Sequence, residues 1–316
     1  MVITNKLRER FCKDCNIPIK IFDEPYFTDR LRLYDEFYGT LEKWELFTHE
    51  LEKYHSEQEY FEHYNKVKDD AIIFIKSSVG YQRFNCEDMT KFQIGHFCLP
   101  SNDIFRPSNH GKVFLSVDMR KANFSALQHY DNSIFDFANT WEEFIGKFTD
   151  NAHIMNSKYI RQVVLGNCNP KRQVAYEKYL MDNVIYNLDS SLTYNIISFS
   201  NDEIVVDITE RDDYKLYKYL LGLDDLLNLQ TELSEQAQIP LKVEVFKLFK
   251  IDGVNGYRKR VFSPGGECKT ELKCVEPTKL PFVIRKLKGE EVTESDKVFC
   301  YEGYLAKFID VPEINI

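Results

Sequence analysis

No run of apolar residues in this 316-residue sequence approaches the length needed to span a bilayer. The opening segment, MVITNKLRERFCKDC, has no apolar signal core, which predicts a cytoplasmic protein with no membrane partner. There is no glycine-rich phosphate loop of either the P-loop or the dinucleotide type, and the one Gly-Gly pair, Gly265-Gly266, sits in an expected hairpin turn. Internal repeats and low-complexity linkers are absent. The eight cysteines are scattered, so nothing points to a disulfide framework. Cys12 and Cys15 form a C-x-x-C pair, but no second pair completes a zinc site. His96, His110, His129 and His153 are isolated, and Cys168 has no base near it in sequence. Excess positive charge is also lacking: the net charge is −9, which argues against a protein that simply coats nucleic acid.

What is present is a folded chain with a large aromatic supply. Hydrophobic residues make up 43% and charged residues 29%, and the 24 Phe and 19 Tyr suit rigid packing and, at a surface, base stacking. Helical spacing of apolar residues over 28–70, interrupted at Gly39, predicts an N-terminal helical region. Residues 71–76 (AIIFIK) read as a short buried strand and 99–111 (LPSNDIFRPSNHG) as a loop. Thr140 and Glu143 form a capping box, and Asn169-Pro170 starts a helix running to about Leu188. Another helix is expected from about Arg211 to Gln238. From Pro240 onward the pattern changes: 241–251, 256–262, 269–275 and 281–287 read as strands, with a short last helix near 301–308.

Two acids stand out by their setting. Residues 112–118 (KVFLSVD) read as a strand that ends in Asp118. Asp202 lies in a polar turn, Ser200-Asn201-Asp202, between the apolar segments 193–199 and 203–209. Carboxylates brought together on adjacent strands can hold two divalent cations about 4 Å apart, which clamp the oxygens of phosphoryl transfer. Mg²⁺, or Mn²⁺, suits oxygen ligands that also face substrate phosphates. Glu203 adds a third acid, with its side chain expected on the side of the strand opposite to Asp202. The segment Lys242–Lys288 carries 12 Lys or Arg against 5 Asp or Glu, a local excess of +7 next to those acids.

The stretch VDMRKANFSAL (117–127) resembles motif A of palm-domain nucleic-acid polymerases. ISFSNDEIVVD (197–207) resembles motif C of family-A DNA polymerases, with Asn201 in place of the usual His, and NCNPKRQVAYEKYLMDNVIYNL (167–188) resembles the helix before that motif. The order strand–Asp, helices, long helix, hairpin–Asp is the palm order, and the likeness covers about residues 112–210. It implies catalytic residues Asp118, Asp202 and Glu203, of which Asp118 and Asp202 are the metal ligands. It implies polar contacts to nucleic acid from Asn169 and Gln173. Lys158 and Arg161, or alternatively Lys171 and Arg172, would meet the nucleoside triphosphate. A weaker likeness of GYRKRVF to strands that follow motif C puts Arg258, Lys259 and Arg260 on nucleic acid.

The expected fold is therefore α+β, a polymerase-palm-like antiparallel sheet with packed helices. The expected division is a helical region over 1–110, a palm-like core over 111–239 and a β-rich, thumb-like basic part over 240–316. The expected function is a compact template- or primer-dependent nucleotidyltransferase, acting on nucleic acid and nucleoside triphosphates, with room for a protein partner on the N-terminal helices. A two-metal nuclease and a non-catalytic, degenerate palm are the alternatives. A palm this compact, with 84 positions between the acids, fits a phage or other viral protein.

Overall fold

The structure is a computed structural model that describes residues 2–209, 223–262 and 268–316. It is an α+β fold in which a six-stranded antiparallel sheet, ordered β2-β3-β1-β4-β5-β6, is packed with helices. The strands are β1 (Val113–Met119), β2 (Ile196–Phe199), β3 (Glu203–Asp207), β4 (Leu241–Ile251), β5 (Gly256–Phe262) and β6 (Cys268–Lys273). A separate hairpin pairs β7 (Val298–Tyr301) with β8 (Tyr304–Lys307). From β1 to β4 the chain runs strand, helices that include the long Pro170–Asn187, hairpin, helix Leu223–Ala237, strand. This is the split β-α-β-β-α-β order, with β1 between β3 and β4.

Successive side chains of a strand point to opposite faces, so the register sorts the sheet into two surfaces. Leu115, Val117 and Met119 of β1, Ile204 and Val206 of β3, and Leu241, Val243 and Val245 of β4 join the main core. That core continues through the helices to Leu7, Phe27 and Phe47 near the N-terminus. The other face has a small apolar cluster at one end, where Phe114, Val205, Phe246, Leu248, Tyr257 and Val261 are covered by Ile104 and Phe105 of the 99–111 loop. Its other end carries the polar side chains of the same strands. The loop also shields the sheet's edge: Phe199 N–H donates to the Pro100 carbonyl at 2.8 Å, and Ser101 bridges to Ser198.

Several expectations need correcting. The apolar run 71–76 is not a strand but the last turns of the helix Glu57–Ser77. Tyr60, Tyr64, Val67, Ala71 and Ile75 keep helical spacing and are its buried stripe, and Ser56 caps its start by accepting from Glu59 N–H at 3.1 Å. Residues 281–287 belong to the helix Leu280–Lys288, started by Pro281 and stopped by Gly289 at φ +67. The expected helix near 301–308 is instead the β7–β8 hairpin, turned by Glu302 and Gly303, both at positive φ. Across the expected boundary at 239–240, β4 pairs along all of β1, so β4, β5 and β6 extend the same sheet. The expected helix start at Arg211 and the turn at Pro264-Gly265-Gly266 lie outside the described residues. The Gly39 break is present, with Gly39 at φ +56 between Tyr26–Tyr38 and Thr40–Leu51. Among the described residues, no helix is long and apolar enough to cross a membrane.

One buried cluster ties the C-terminal segment to the N-terminal helices. Arg30, 3% exposed, meets Asp296 at 3.2 Å and donates to the carbonyls of Ser295, Asp296 and Val298. Arg285 holds the other oxygen of Asp296 at 2.9 Å. Removing Arg30 leaves the buried Asp296 with Arg285 as its one remaining cation among the described residues. Arg30→Met should therefore cost about 3–5 kcal/mol, read as a lower urea midpoint; a loss under about 1 kcal/mol would show that the cluster is not a structural tie.

Candidate functional site

Asp118 stands at the end of β1, on the face away from the main core. The β1–β3 register sets it opposite Glu203, and the β1–β4 register sets it opposite Lys242. The ladder continues one residue further, where Met119 N–H donates to the Asp202 carbonyl at 2.8 Å. Asp202 therefore adjoins the end of β1, and the two acids, 84 positions apart in sequence, belong to neighbouring strand ends.

The β2–β3 turn is fixed by its own side chains. Ser200 N–H donates to the Glu203 carbonyl at 2.9 Å, and the Ser200 hydroxyl accepts from Glu203 N–H at 3.0 Å. That hydroxyl also lies 3.2 Å from Asp202 Oδ1, as a donor. Asn201 turns the other way. Its Nδ2 donates to Glu177 Oε2 at 2.6 Å, linking the turn to the long helix Pro170–Asn187. Glu203 shares the face of Asp118 and accepts from the Ser116 hydroxyl at 2.5 Å.

The electrostatics follow from crowding. Burial, then the charges of Glu203 and Asp202, push Asp118 up to about 7, while Lys242 opposes the shift. Glu177 is 1% exposed; burial raises it to about 7, against the Asn201 hydrogen bond. Further across the same face, Glu244 bridges two lysines: it pairs with Lys242 and, at 3.0 Å, with Lys259. Despite burial, Lys259 and Lys242 hold Glu244 below the usual carboxylate range. Glu271 is half-buried but lies beside Lys273 and Lys259, which bring it down to about 2.

Comparison of the chain with protein families, curated proteins and solved structures returned no match. The site is therefore read from its own chemistry. Among the described residues, no group of three or more His, Cys, Asp or Glu side chains is arranged to hold a metal ion. The strand ends bring together Asp118, Asp202 and Glu203, hard oxygen donors of the type that Mg²⁺ takes.

The remaining expected site residues are dispersed. Gln173 is fully buried, and its amide donates to the carbonyls of Leu165 and Cys168 at 2.8 and 2.6 Å, which leaves it no surface for nucleic acid. Asn169 takes positive φ before Pro170 and donates to Asn85 at 2.7 Å, without capping the helix by its side chain. Arg172 is spent on the carbonyls of Phe84 and Glu87. Lys158 and Lys171 are exposed. Arg161 is half-buried, with its pKa lowered by burial and only Glu142 opposing. Lys259 lies on the face of Asp118, but Arg258 and Arg260 alternate to the other face, stacking toward Phe249 and Phe262. Sequence reasoning missed Glu177, Lys242 and Glu244. Glu177 could have been found as the residue one helical turn after Gln173, on the same stripe.

Two carboxyls that hold protons more tightly when folded give a definite pH dependence. Their stabilising contribution is complete below the unfolded range near pH 4 and is lost as pH rises to about 7. In metal-free protein, Glu177→Gln and Asp118→Asn should therefore lose less stability than the wild type between pH 5 and pH 8. At pH 8, Glu177→Gln should be the more stable protein by on the order of 2 kcal/mol, measured by denaturant titration. Parallel stability curves for all three proteins would contradict this.

Proposed function

We propose that this chain is a nucleotidyl-transferring enzyme with a polymerase-palm-like core, in which Asp118 and Asp202 hold divalent cations against a substrate phosphate. The observation that carries the reading is the ladder around β1: Asp118 level with Glu203, and Met119 bonded to Asp202. The strand and helix order of the core agrees with the palm order that motifs A and C imply. Mg²⁺ or Mn²⁺ bound to these acids would polarise phosphoryl oxygens and ease deprotonation of an attacking hydroxyl.

The chain's own residues have separable parts in this reading. Asp118 and Asp202 provide the negative charge that draws the cation; Asp118, raised by burial and then by the charges of Glu203 and Asp202, would be relieved of that repulsion on cation binding. Glu203, tied to Ser116, steadies the β1–β3 junction. Lys242, opposite Asp118 and partly exposed, provides positive charge for a phosphate approaching across the sheet. For the triphosphate, Lys158 and Arg161 are favoured over Lys171 and Arg172, because Arg172 is committed to backbone carbonyls. Lys269 and Lys273 share the Asp118 face with Lys259, and this row supports a track for a nucleic-acid backbone.

The test is nucleotide addition to a primed template, with Mg²⁺ or Mn²⁺, by the wild type, Asp118→Asn and Asp202→Asn. Each substitution should lower the rate by roughly a thousandfold, about 4 kcal/mol of lost stabilisation. Arg161→Ala should raise the nucleotide KM more than Arg172→Ala does. Metal-dependent strand cleavage without addition would replace this reading with a nuclease. Absence of both activities, with nucleic-acid binding kept in the two Asn variants, would leave a non-catalytic palm.

A further inference from the structure

The long helix Pro170–Asn187 touches both acid-bearing segments through two side chains one turn apart. Gln173 accepts from Asn123 Nδ2 at 3.4 Å, five residues after Asp118. Glu177 accepts from Asn201 Nδ2 at 2.6 Å, in the residue before Asp202. Both helix residues are buried, at 0% and 1% exposure. Gln173 is itself locked by the carbonyls of Leu165 and Cys168, so its end of the helix is fixed.

Resting on the reading above, we propose that Glu177 is a positioning residue which, paired with Asn201, fixes the 200–202 turn and so aims Asp202 at the cation, while Gln173 anchors the same helix beside the Asp118 segment. Within the turn the side-chain bonds all run through Ser200, and none of them holds Asn201. Ser200 satisfies Glu203 and approaches Asp202, but Asn201 has its side-chain bond to Glu177 alone among the described residues. A carboxyl in this place is otherwise unfavourable. Glu177 Oε1 is buried without a hydrogen-bond partner among the described residues, a burden of the kind that an apolar side chain would avoid. The 2.6 Å bond to the turn is the interaction that a Leu could not make. Glu177 is assigned a role through Asn201 because the bond that it makes is to the Asn201 amide.

This role needs an acceptor and not a charge, so Gln should serve where Ala fails. The experiment compares Glu177→Gln, Glu177→Ala and Asn201→Ala by Mn²⁺ binding, read by paramagnetic resonance, and by amide exchange at Ser200 and Glu203. Glu177→Gln should keep Mn²⁺ affinity and exchange rates close to wild type. Glu177→Ala and Asn201→Ala should weaken Mn²⁺ about tenfold, as loss of an outer partner does, and speed exchange at both amides. Equal loss of Mn²⁺ in Glu177→Gln and Glu177→Ala would overturn the proposal in favour of a charged role. Unchanged exchange in both Ala variants would overturn it outright. If wild type binds no Mn²⁺, the polymerase reading fails, and amide exchange alone decides whether Glu177 positions the turn. If Glu177→Ala does not fold, Asn201→Ala and Glu177→Gln decide it.

Discussion

Backbone hydrogen bonds join β1 to β3 on one side and to β4 on the other, and this pairing holds Asp118 level with Glu203 and with Lys242. A shift of one residue in either register would send the acids into the helix-packed core and the core's valines to the surface. The register is held in place by what the other face buries. Leu115, Val117, Ile204, Val206, Val243 and Val245 all belong to one apolar cluster, and none could be turned outward without exposing it. The polar corner of the sheet is thus a consequence of packing on its far side.

That corner concentrates charge of both signs in half-buried positions. Asp118, Asp202 and Glu203 crowd one end, while Glu244 and Glu271 are interleaved with Lys242, Lys259 and Lys273 along the rest of the face. The two acid groups behave oppositely. Glu244 and Glu271 have lysine partners and are lowered, whereas Asp118 is raised, first by burial and then because acids outnumber cations around it. Local negative charge that Lys242 offsets only in part suits a cation taken from solution. Behind the acids, Glu177 and Gln173 connect the long helix to the segments that bear them.

The sequence made much of this legible where a local signal had a single meaning. The strand before Asp118, the Ser200-Asn201-Asp202 turn and the first three C-terminal strands follow from alternation and turn chemistry, and they stand near their expected bounds. Where periodicity was ambiguous it misled. AIIFIK suits a strand by composition, but the stripe it continues from Tyr60 makes it a helix. PFVIRKLK is as apolar as a strand, yet Pro281 and Gly289 are helix punctuation. The surroundings of the acids were harder to read. Whether Gln173 reaches solvent or the Leu165 carbonyl depends on how helices pack, which no spacing encodes. Arg258, Lys259 and Arg260 look like one basic patch in sequence, and the pleat divides them between two faces. Lys242 came level with Asp118 only through pairing between strands 124 positions apart.

The account depends on Asp118 and Asp202 converging on one cation. The direct measurement is crystallographic: crystals soaked in Mn²⁺ with a non-hydrolysable nucleoside triphosphate, with the metal located by its anomalous scattering. The account predicts a peak within coordination distance of a carboxylate oxygen of both residues, with the triphosphate alongside. Metal bound elsewhere, or in contact with one of the two acids and out of reach of the other, would contradict it.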